Sequence, residues 1–388
     1  METDFLISKK EQFKKLISYG QSPWLDNISR CLIDSGELER LVENGIITGI
    51  TSNPSIFEKS INSGKCGYPE LIKKLSSEKL DSFAIYDTIT REDIKKAAEI
   101  LLPVFEKTGG NDGFVSIEVP PNIATNIETS INEAQRIFAL INKKNVLIKI
   151  PATKEGIEII PILLSKGINV NVTLMFSVNH YIQVANAYIK GLKKALENGI
   201  DLKNIHSVAS IFISRIDTMV DKQLDELIKN TADPSKKEKI TNLLGKAGVA
   251  NSKIIFKKYS DIFAHSNEIE NQRSSFAPLK TKGANIQRLL WASTSTKNQS
   301  YYDLKYVEPL IGKNTINTLP DETILHIAEH GNLLPETASK DLDYSMKVNE
   351  ELLGIGIDLN KVGEKLQLDG VKSFEDSYEK LLKSIENI

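Results

Sequence analysis

Lys149 stands inside Val146-Leu-Ile-Lys-Ile150, a run that is otherwise apolar. A lysine held among such neighbours loses solvent, and desolvation favours the neutral amine. A neutral amine can attack a ketone and form a Schiff base, whose protonated imine draws electrons from a neighbouring C–C bond. That chemistry needs two proton-transfer groups. One serves carbinolamine formation and dehydration, the other takes a proton from a substrate hydroxyl as the bond breaks. Glu118 and Asp26 are carboxylates in two other short apolar runs. A buried Lys149–Glu118 salt bridge is the competing reading for the lysine. A helix cap or ion-pair partner is the competing reading for each carboxylate.

The elements that would position these groups are short apolar runs alternating with helical patterns. Eight strands are expected, at Trp24–Ile28, Ile46–Ser52, Phe114–Val119, Val146–Ile150, Ile168–Met175, Ser207–Ile213, Arg288–Ser293 and Thr315–Leu319. Helices are expected at Ile28–Val42, Asp93–Phe105, Thr129–Asn142, Gly156–Leu164 and Val178–Leu196. Thr90 with Asp93 resembles a capping box, and Ser177 is a cap for the helix after it. Asn44-Gly45, Lys166-Gly167 and Asn198-Gly199 read as helix stops. This alternation predicts an α/β chain, a (β/α)8 TIM barrel. An open doubly wound sheet is the rival, but neither G-x-G-x-x-G nor G-x-x-x-x-G-K-[ST] is present. Extra helical segments are expected after strand six, at about 218–282, and at the C-terminus, at about 332–388. The whole of 1–388 reads as a single barrel domain with these additions. The last helices would pack across the barrel or contact a second subunit, leaving monomer and homodimer both open.

Strand side chains alternate between faces, so parity tests which residues meet. Lys149 shares a face with Leu147, and Glu118 shares one with Ser116. Asn169, Asn171 and Thr173 oppose Val170, Val172 and Leu174. Thr51 pairs with Asn53, Ser210 with Phe212, and Asp26 with Trp24. Several strands thus carry a polar face near their C-terminal ends, where barrel active sites form. An outward, solvated face is the alternative for any one strand. An anionic substrate group would suit Arg215, after strand six, and Lys297, after Ser293-Thr-Ser-Thr296.

Composition bounds the rest. The 388 residues are 40% hydrophobic and 26% charged with net charge -2, an ordinary globular make-up with no general attraction to nucleic acid or anionic membrane. No apolar run reaches bilayer length, and Met1-Glu2-Thr3-Asp4 does not open a signal peptide. Cys31 and Cys66 are too few for a disulfide framework, which points to a reducing, cytoplasmic setting. His326 and His330 stand four apart without a third ligand, so no metal is expected.

The chain resembles the transaldolases, in particular their longer bacterial-type branch. The matching segments are Trp24-Leu-Asp-Asn-Ile28, Gly49-Ile-Thr-Ser-Asn-Pro-Ser55, Val115-Ser-Ile-Glu-Val119, Val146-Leu-Ile-Lys-Ile-Pro-Ala-Thr153 and Asn169-Val-Asn-Val-Thr-Leu-Met-Phe-Ser177. Val208-Ala-Ser-Ile-Phe-Ile-Ser-Arg-Ile-Asp217, Gly245-Lys-Ala-Gly-Val-Ala-Asn251, Leu290-Trp-Ala-Ser-Thr-Ser-Thr-Lys-Asn298 and Tyr306-Val-Glu-Pro-Leu310 extend the match. The resemblance implies a barrel of the class I aldolase type and a transferase of the pentose phosphate pathway. It would move a dihydroxyacetone unit from sedoheptulose 7-phosphate to glyceraldehyde 3-phosphate, giving erythrose 4-phosphate and fructose 6-phosphate. Lys149 would be the Schiff-base lysine. Glu118 would act through a water held with Thr173, and Asp26 would take the C4 hydroxyl proton. Asn53, Asn171 and Ser210 would hold the dihydroxyacetone hydroxyls, with Thr51 and Phe212 lining the pocket. Arg215 and Ser293 would bind phosphate, with Ser295 and Lys297 beside them. No cofactor is implied. The shorter transaldolases carry an arginine soon after the strand-seven serine. Here the cation is Lys297, one place later and without arginine's fork. A fructose 6-phosphate aldolase, which would release free dihydroxyacetone, and a silent barrel used as a binding module are the alternatives.

Overall fold

The computed structural model describes residues 2–263 and 275–388. Eight parallel strands close into a barrel in sequence order. They are β1 (Gln21–Leu25), β2 (Gly49–Ile50), β3 (Val115–Glu118), β4 (Val146–Pro151), β5 (Val170–Met175), β6 (Ser207–Phe212), β7 (Arg288–Ala292) and β8 (Thr315–Leu319). The expected (β/α)8 barrel is therefore the fold, with every expected strand in place. Most strand ends move by one or two residues, and two strands differ more in extent. β1 begins earlier than expected and stops at Leu25, so Asp26 stands just past its end. There the Asp26 amide still donates to the Leu319 carbonyl at 3.0 Å. β2 is two residues long, and Thr51 and Asn53 follow it on the rim.

Parity sorts the side chains as expected. Trp24, Phe114, Leu147, Val208, Leu290, Ala292 and Ile316 form an apolar cluster inside the barrel. The alternate residues of the strands, such as Val146, Ile148 and Ile150, join the larger core between sheet and helices. Gly49 is required by this packing: a Cβ there would lie 2.5 Å from the Trp24 indole. Below the cluster, Asp112 accepts from Ser22 Oγ at 2.6 Å and Trp24 Nε1 at 2.8 Å, and Arg288 Nη2 donates to Ser22 Oγ at 2.7 Å. A satisfied polar floor thus supports the inner apolar layer.

Local signals explain most helix ends. Ser177 caps Val178–Glu197, and Thr153 caps Lys154–Leu164. The stops at Gly45, Gly167 and Gly199 all have positive φ, as a left-handed C-terminal residue requires. The Thr90–Asp93 capping box is not one. That helix starts earlier, at Ser82, capped by Asp81. Asp93 is instead buried, accepting from Arg30 Nε and Tyr68 OH, each at 2.8 Å. The expected helix Ile28–Val42 is two helices, Arg30–Asp34 and Glu37–Glu43, parted at Gly36 with φ 76°.

The two additions are helical. After β6 come Ser214–Asn230, Pro234–Thr241 and Ala247–Phe263, while 264–274 of that expected segment lie outside the described residues. The last two long helices are Leu342–Gly354 and Leu359–Glu386. Leu359–Glu386 crosses the C-terminal rim of the barrel. Gly363 and Gly370 allow the approach: a Cβ on either would meet Ser177 at 2.8 Å or Leu174 at 2.9 Å. Gln367 Nε2 donates to the carbonyls of Ala152 (2.8 Å) and Leu174 (3.0 Å). Farther along, Ser377 bonds Ser55 at 2.8 Å, and Tyr378 packs edge-on against Tyr86.

Cys31 and Cys66 form a disulfide, with Cα atoms 4.8 Å apart. This removes cysteine usage as an argument for a reducing compartment. Two cysteines cannot make a framework, but the fold brings this pair together across 35 residues. No helix among the described residues is long and apolar enough to cross a membrane.

Candidate active site

Register places the central groups side by side. Glu118 on β3 is opposite Lys149 on β4, which is opposite Asn171 on β5. Lys149 and Glu118 are 6% and 8% exposed, too little for free hydration of either charge. Lys149 Nζ donates to the Ser52 carbonyl at 3.0 Å and lies 2.6 Å from Glu118 Oε1. That ion contact is poorly aligned as a hydrogen bond, so Glu118 Oε1 has no hydrogen-bond partner. The salt bridge weighed as an alternative therefore exists, and it brings the amine and a carboxylate into proton-transfer range. Burial pushes the Glu118 carboxyl above its ordinary pKa; Lys149 opposes this, and the charge of Asp26 adds to it. Burial thus makes the Glu118 carboxylate a better proton acceptor than an exposed one.

Beside this pair lies a chamber with about 20 Å³ of room for water, walled by Glu118, Lys149 and Thr173 and by apolar residues. One water needs about 10–15 Å³ on that measure. Thr173 Oγ1 is buried and has no hydrogen-bond partner among the described residues, and Glu118 Oε1 has only its ion contact with Lys149. An unpartnered hydroxyl and a carboxylate oxygen at a one-water chamber fit a bridging water. β5 is irregular here: its register with β6 shifts between Val172 and Met175, and Leu174 has φ 57°. A bulge of this kind re-aims side chains at a strand end.

A larger cavity of about 350 Å³ opens from Lys149. Asp26, Thr51, Asn53, Asn171, Thr173, Ser210, Phe212, Arg215, Ser293, Ser295 and Lys297 all line it. The remaining predicted catalytic or substrate-binding residue, Glu118, lines the chamber beside Lys149, so the residues expected to do the chemistry and bind substrate meet here. Thr51 Oγ1 donates to Asp26 Oδ1 at 3.0 Å, fixing that carboxylate. Asn53 Oδ1 caps the helix Pro54–Asn62 by accepting from Ile56 N at 2.9 Å, which leaves its NH2 toward the cavity. Ser210 Oγ donates to Asn171 Oδ1 at 2.7 Å, and Asn171 Nδ2 donates to Ser116 Oγ at 3.0 Å.

At the far end, Arg215 lies in the first turn of Ser214–Asn230 with its guanidinium over the Phe212 ring, 5.3 Å from the centroid. Among the described residues no carboxylate pairs with it. Burial pulls its pKa below the ordinary arginine value, with the group still charged. Lys297 Nζ donates to Ser295 Oγ at 2.7 Å. Two cations, hydroxyls and a helix N-terminus line this end of the cavity, the group types that can hold a phosphate-sized anion.

A sequence model of the transaldolase/fructose-6-phosphate aldolase family matches residues 23–385. The chain belongs to that family. It is 42% identical over 369 residues to a transaldolase of Trichodesmium erythraeum, covering 95% of this chain and 94% of that protein. It is 40% identical over 372 residues to one of Thiobacillus denitrificans, covering 96% and 99%. A Mycobacterium tuberculosis transaldolase is 40% identical over 377 residues, covering 97% of each.

Within this transaldolase-family barrel, several groups at the site were not singled out from the sequence. The Ser52 carbonyl is a backbone group, which residue type does not reveal. Thr318 lines the cavity from β8 and accepts from Ser293 N at 3.0 Å; its parity in Thr315–Leu319 was the available clue. Lys59 and Glu322 join from helices beside the rim. Phe374 comes from the C-terminal helix, about 200 residues after Thr173 in the chain, and no local pattern predicts that meeting. His326 and His330 bracket Asp303, at 3.6 and 3.0 Å.

Proposed function

We propose that the chain is a transaldolase that transfers a dihydroxyacetone unit from sedoheptulose 7-phosphate to glyceraldehyde 3-phosphate through a Schiff base on Lys149. The observation that carries this reading is the buried Lys149–Glu118 contact, at 2.6 Å, facing a cavity that also holds Asp26 and an unpaired Arg215. Glu118, raised by burial, takes the ammonium proton and frees the amine. Lys149 Nζ attacks the ketose C2, and the carbinolamine loses water as Glu118 gives up its proton. Thr173 and Glu118 hold that water. Asp26, oriented by Thr51, accepts the C4 hydroxyl proton while the C3–C4 pair moves into the iminium. The aldose leaves, glyceraldehyde 3-phosphate enters, and Asp26 returns its proton as the new bond forms. Water then adds to the imine and releases fructose 6-phosphate. Asn53, Asn171 and Ser210 hold the dihydroxyacetone hydroxyls. Phe212 closes one wall, and Arg215, Ser293, Ser295 and Lys297 bind the phosphate. No step in this scheme calls for a cofactor.

The unit responsible is the whole of 1–388, helical additions included. A cytoplasmic location fits substrates whose phosphate charge keeps them from crossing membranes. Release of free dihydroxyacetone to water, the aldolase alternative, is disfavoured by Glu118 and by near-full-length similarity to proteins named transaldolase.

Borohydride trapping with fructose 6-phosphate tests the proposal. An adduct of dihydroxyacetone size on Lys149 is expected, and Lys149→Ala should form no adduct and lose transfer while keeping its unfolding temperature. Near-normal turnover of a folded Lys149→Ala protein would sink the mechanism.

A further inference from the structure

A transferase of this kind faces a timing problem. Its imine must be hydrolysed to release the product ketose, yet the dihydroxyacetone adduct must survive until an acceptor arrives. The water chamber and the substrate cavity lie on either side of Lys149 and Thr173, which line both. One other side chain lines both: Phe374, from the helix Leu359–Glu386. It is 8% exposed and meets Leu174 in the chamber wall. Its neighbour one turn earlier, Val371, lines only the chamber. The remaining chamber walls away from Lys149 are Val119, Pro121, Ala124, Pro151 and Leu174, none of which can hold water through its side chain.

We infer that Phe374 is a positioning residue that keeps the imine-hydrolysing water in its chamber and excludes further water from the dihydroxyacetone adduct. This rests on the Schiff-base reading above. After the aldose leaves, C3 of the adduct carries the electron pair from the broken bond, and Asp26 holds the C4 hydroxyl proton. Hydrolysis at this stage needs that proton to reach C3 through water, and a second water to add at C2. The C2–N bond then breaks, and Lys149 and dihydroxyacetone are released. The balance is one water consumed and one aldolase-type cleavage completed. A single water beside Glu118 and Thr173 lies on the C2 side and does not link Asp26 to C3. The Phe374 ring borders both spaces and takes up apolar room beside the adduct that a relay water would need, and the position of Gly370 and the Gln367 hydrogen bonds fix the helix that carries it.

The test is a partition ratio: free dihydroxyacetone formed from fructose 6-phosphate, divided by transfer to erythrose 4-phosphate. Phe374→Ala should raise the ratio several-fold while still forming the borohydride-trapped adduct on Lys149. Phe374→Leu, which keeps an apolar side chain, should stay near the wild-type ratio. Tyr378→Ala serves as the control, because Tyr378 is on the same helix but lines neither cavity. An unchanged ratio in a folded, adduct-forming Phe374→Ala protein would overturn the inference. So would an equal rise in Tyr378→Ala, which would assign the effect to helix docking in general. Absence of any adduct in the wild-type protein would instead remove the Schiff-base reading itself.

Discussion

On the proposed mechanism Lys149 combines two properties that conflict in an isolated residue: it is buried, and it must exchange a proton. Glu118 resolves the conflict by lying 2.6 Å away with a raised pKa. Glu118→Gln keeps the volume and removes the exchange. Turnover should fall about 10²–10⁴-fold, the usual contribution of a positioned acid–base group, with trapping of the Lys149 adduct slowed in parallel. Rates of adduct formation by mass spectrometry check this. Arg215 makes a different claim. Lysine there keeps the charge but loses the fork, at roughly 1.5–3 kcal/mol for a charged hydrogen bond. Arg215→Lys should therefore raise the KM for fructose 6-phosphate about ten- to a hundredfold. Turnover of unphosphorylated fructose should be the same in both proteins. An equal loss on both sugars would assign Arg215 to structure and not to phosphate.

Among the elements, the loops after β1 and β2 carry Asp26 and Asn53, and they are tied by the Cys31–Cys66 disulfide. Both sulfurs border a second cavity shared with Asp26 and Lys59. Closing a loop across 35 residues restricts the unfolded chain. The double change Cys31→Ser with Cys66→Ser should lower stability by about 2–4 kcal/mol. Urea unfolding under non-reducing conditions measures this, and reductant should affect only the wild-type protein. The bridge was illegible in the sequence because pairing depends on the helix Arg30–Asp34 after β1 meeting the turn that holds Cys66 after β2, not on cysteine number. The capping-box error has a related cause. Thr90 and Asp93 match a local pattern, but Asp93 finds Arg30 and Tyr68 through the tertiary fold, and these outweigh the cap.

For the whole molecule, acid is the informative stress. Burial pushes His180 and His206 down to about 4 from 6.5. Their folded pKa values are depressed, so their neutral forms favour the native state above pH 6.5. That contribution is lost as pH falls from about 6.5 to about 4, by about 2–3 kcal/mol for each histidine. Unfolding free energy should drop across this window. His206 packs against Phe105 and Phe114 under the barrel, so His206→Phe should remove about half of the drop. A pH profile identical to wild type would refute the assignment.

The sequence by itself determined the eight strands, their order and which face of each is polar. Strand alternation is a local, period-two property, and a closed barrel requires the alternate residues to point inward. It also pointed to many of the residues that meet in the cavity, since these lie at or just after strand C-terminal ends and closure brings those ends together, but not to Lys59, Glu322 or Phe374 on the helices. Only the tertiary structure decided the rest. The Ser52 carbonyl at Lys149, the one-water chamber, the disulfide and Phe374 over the site all join segments distant in the chain. Such contacts come from helices docking on the barrel rim, where glycine spacing and side-chain volume set the approach, and no local pattern encodes which surface a helix will find.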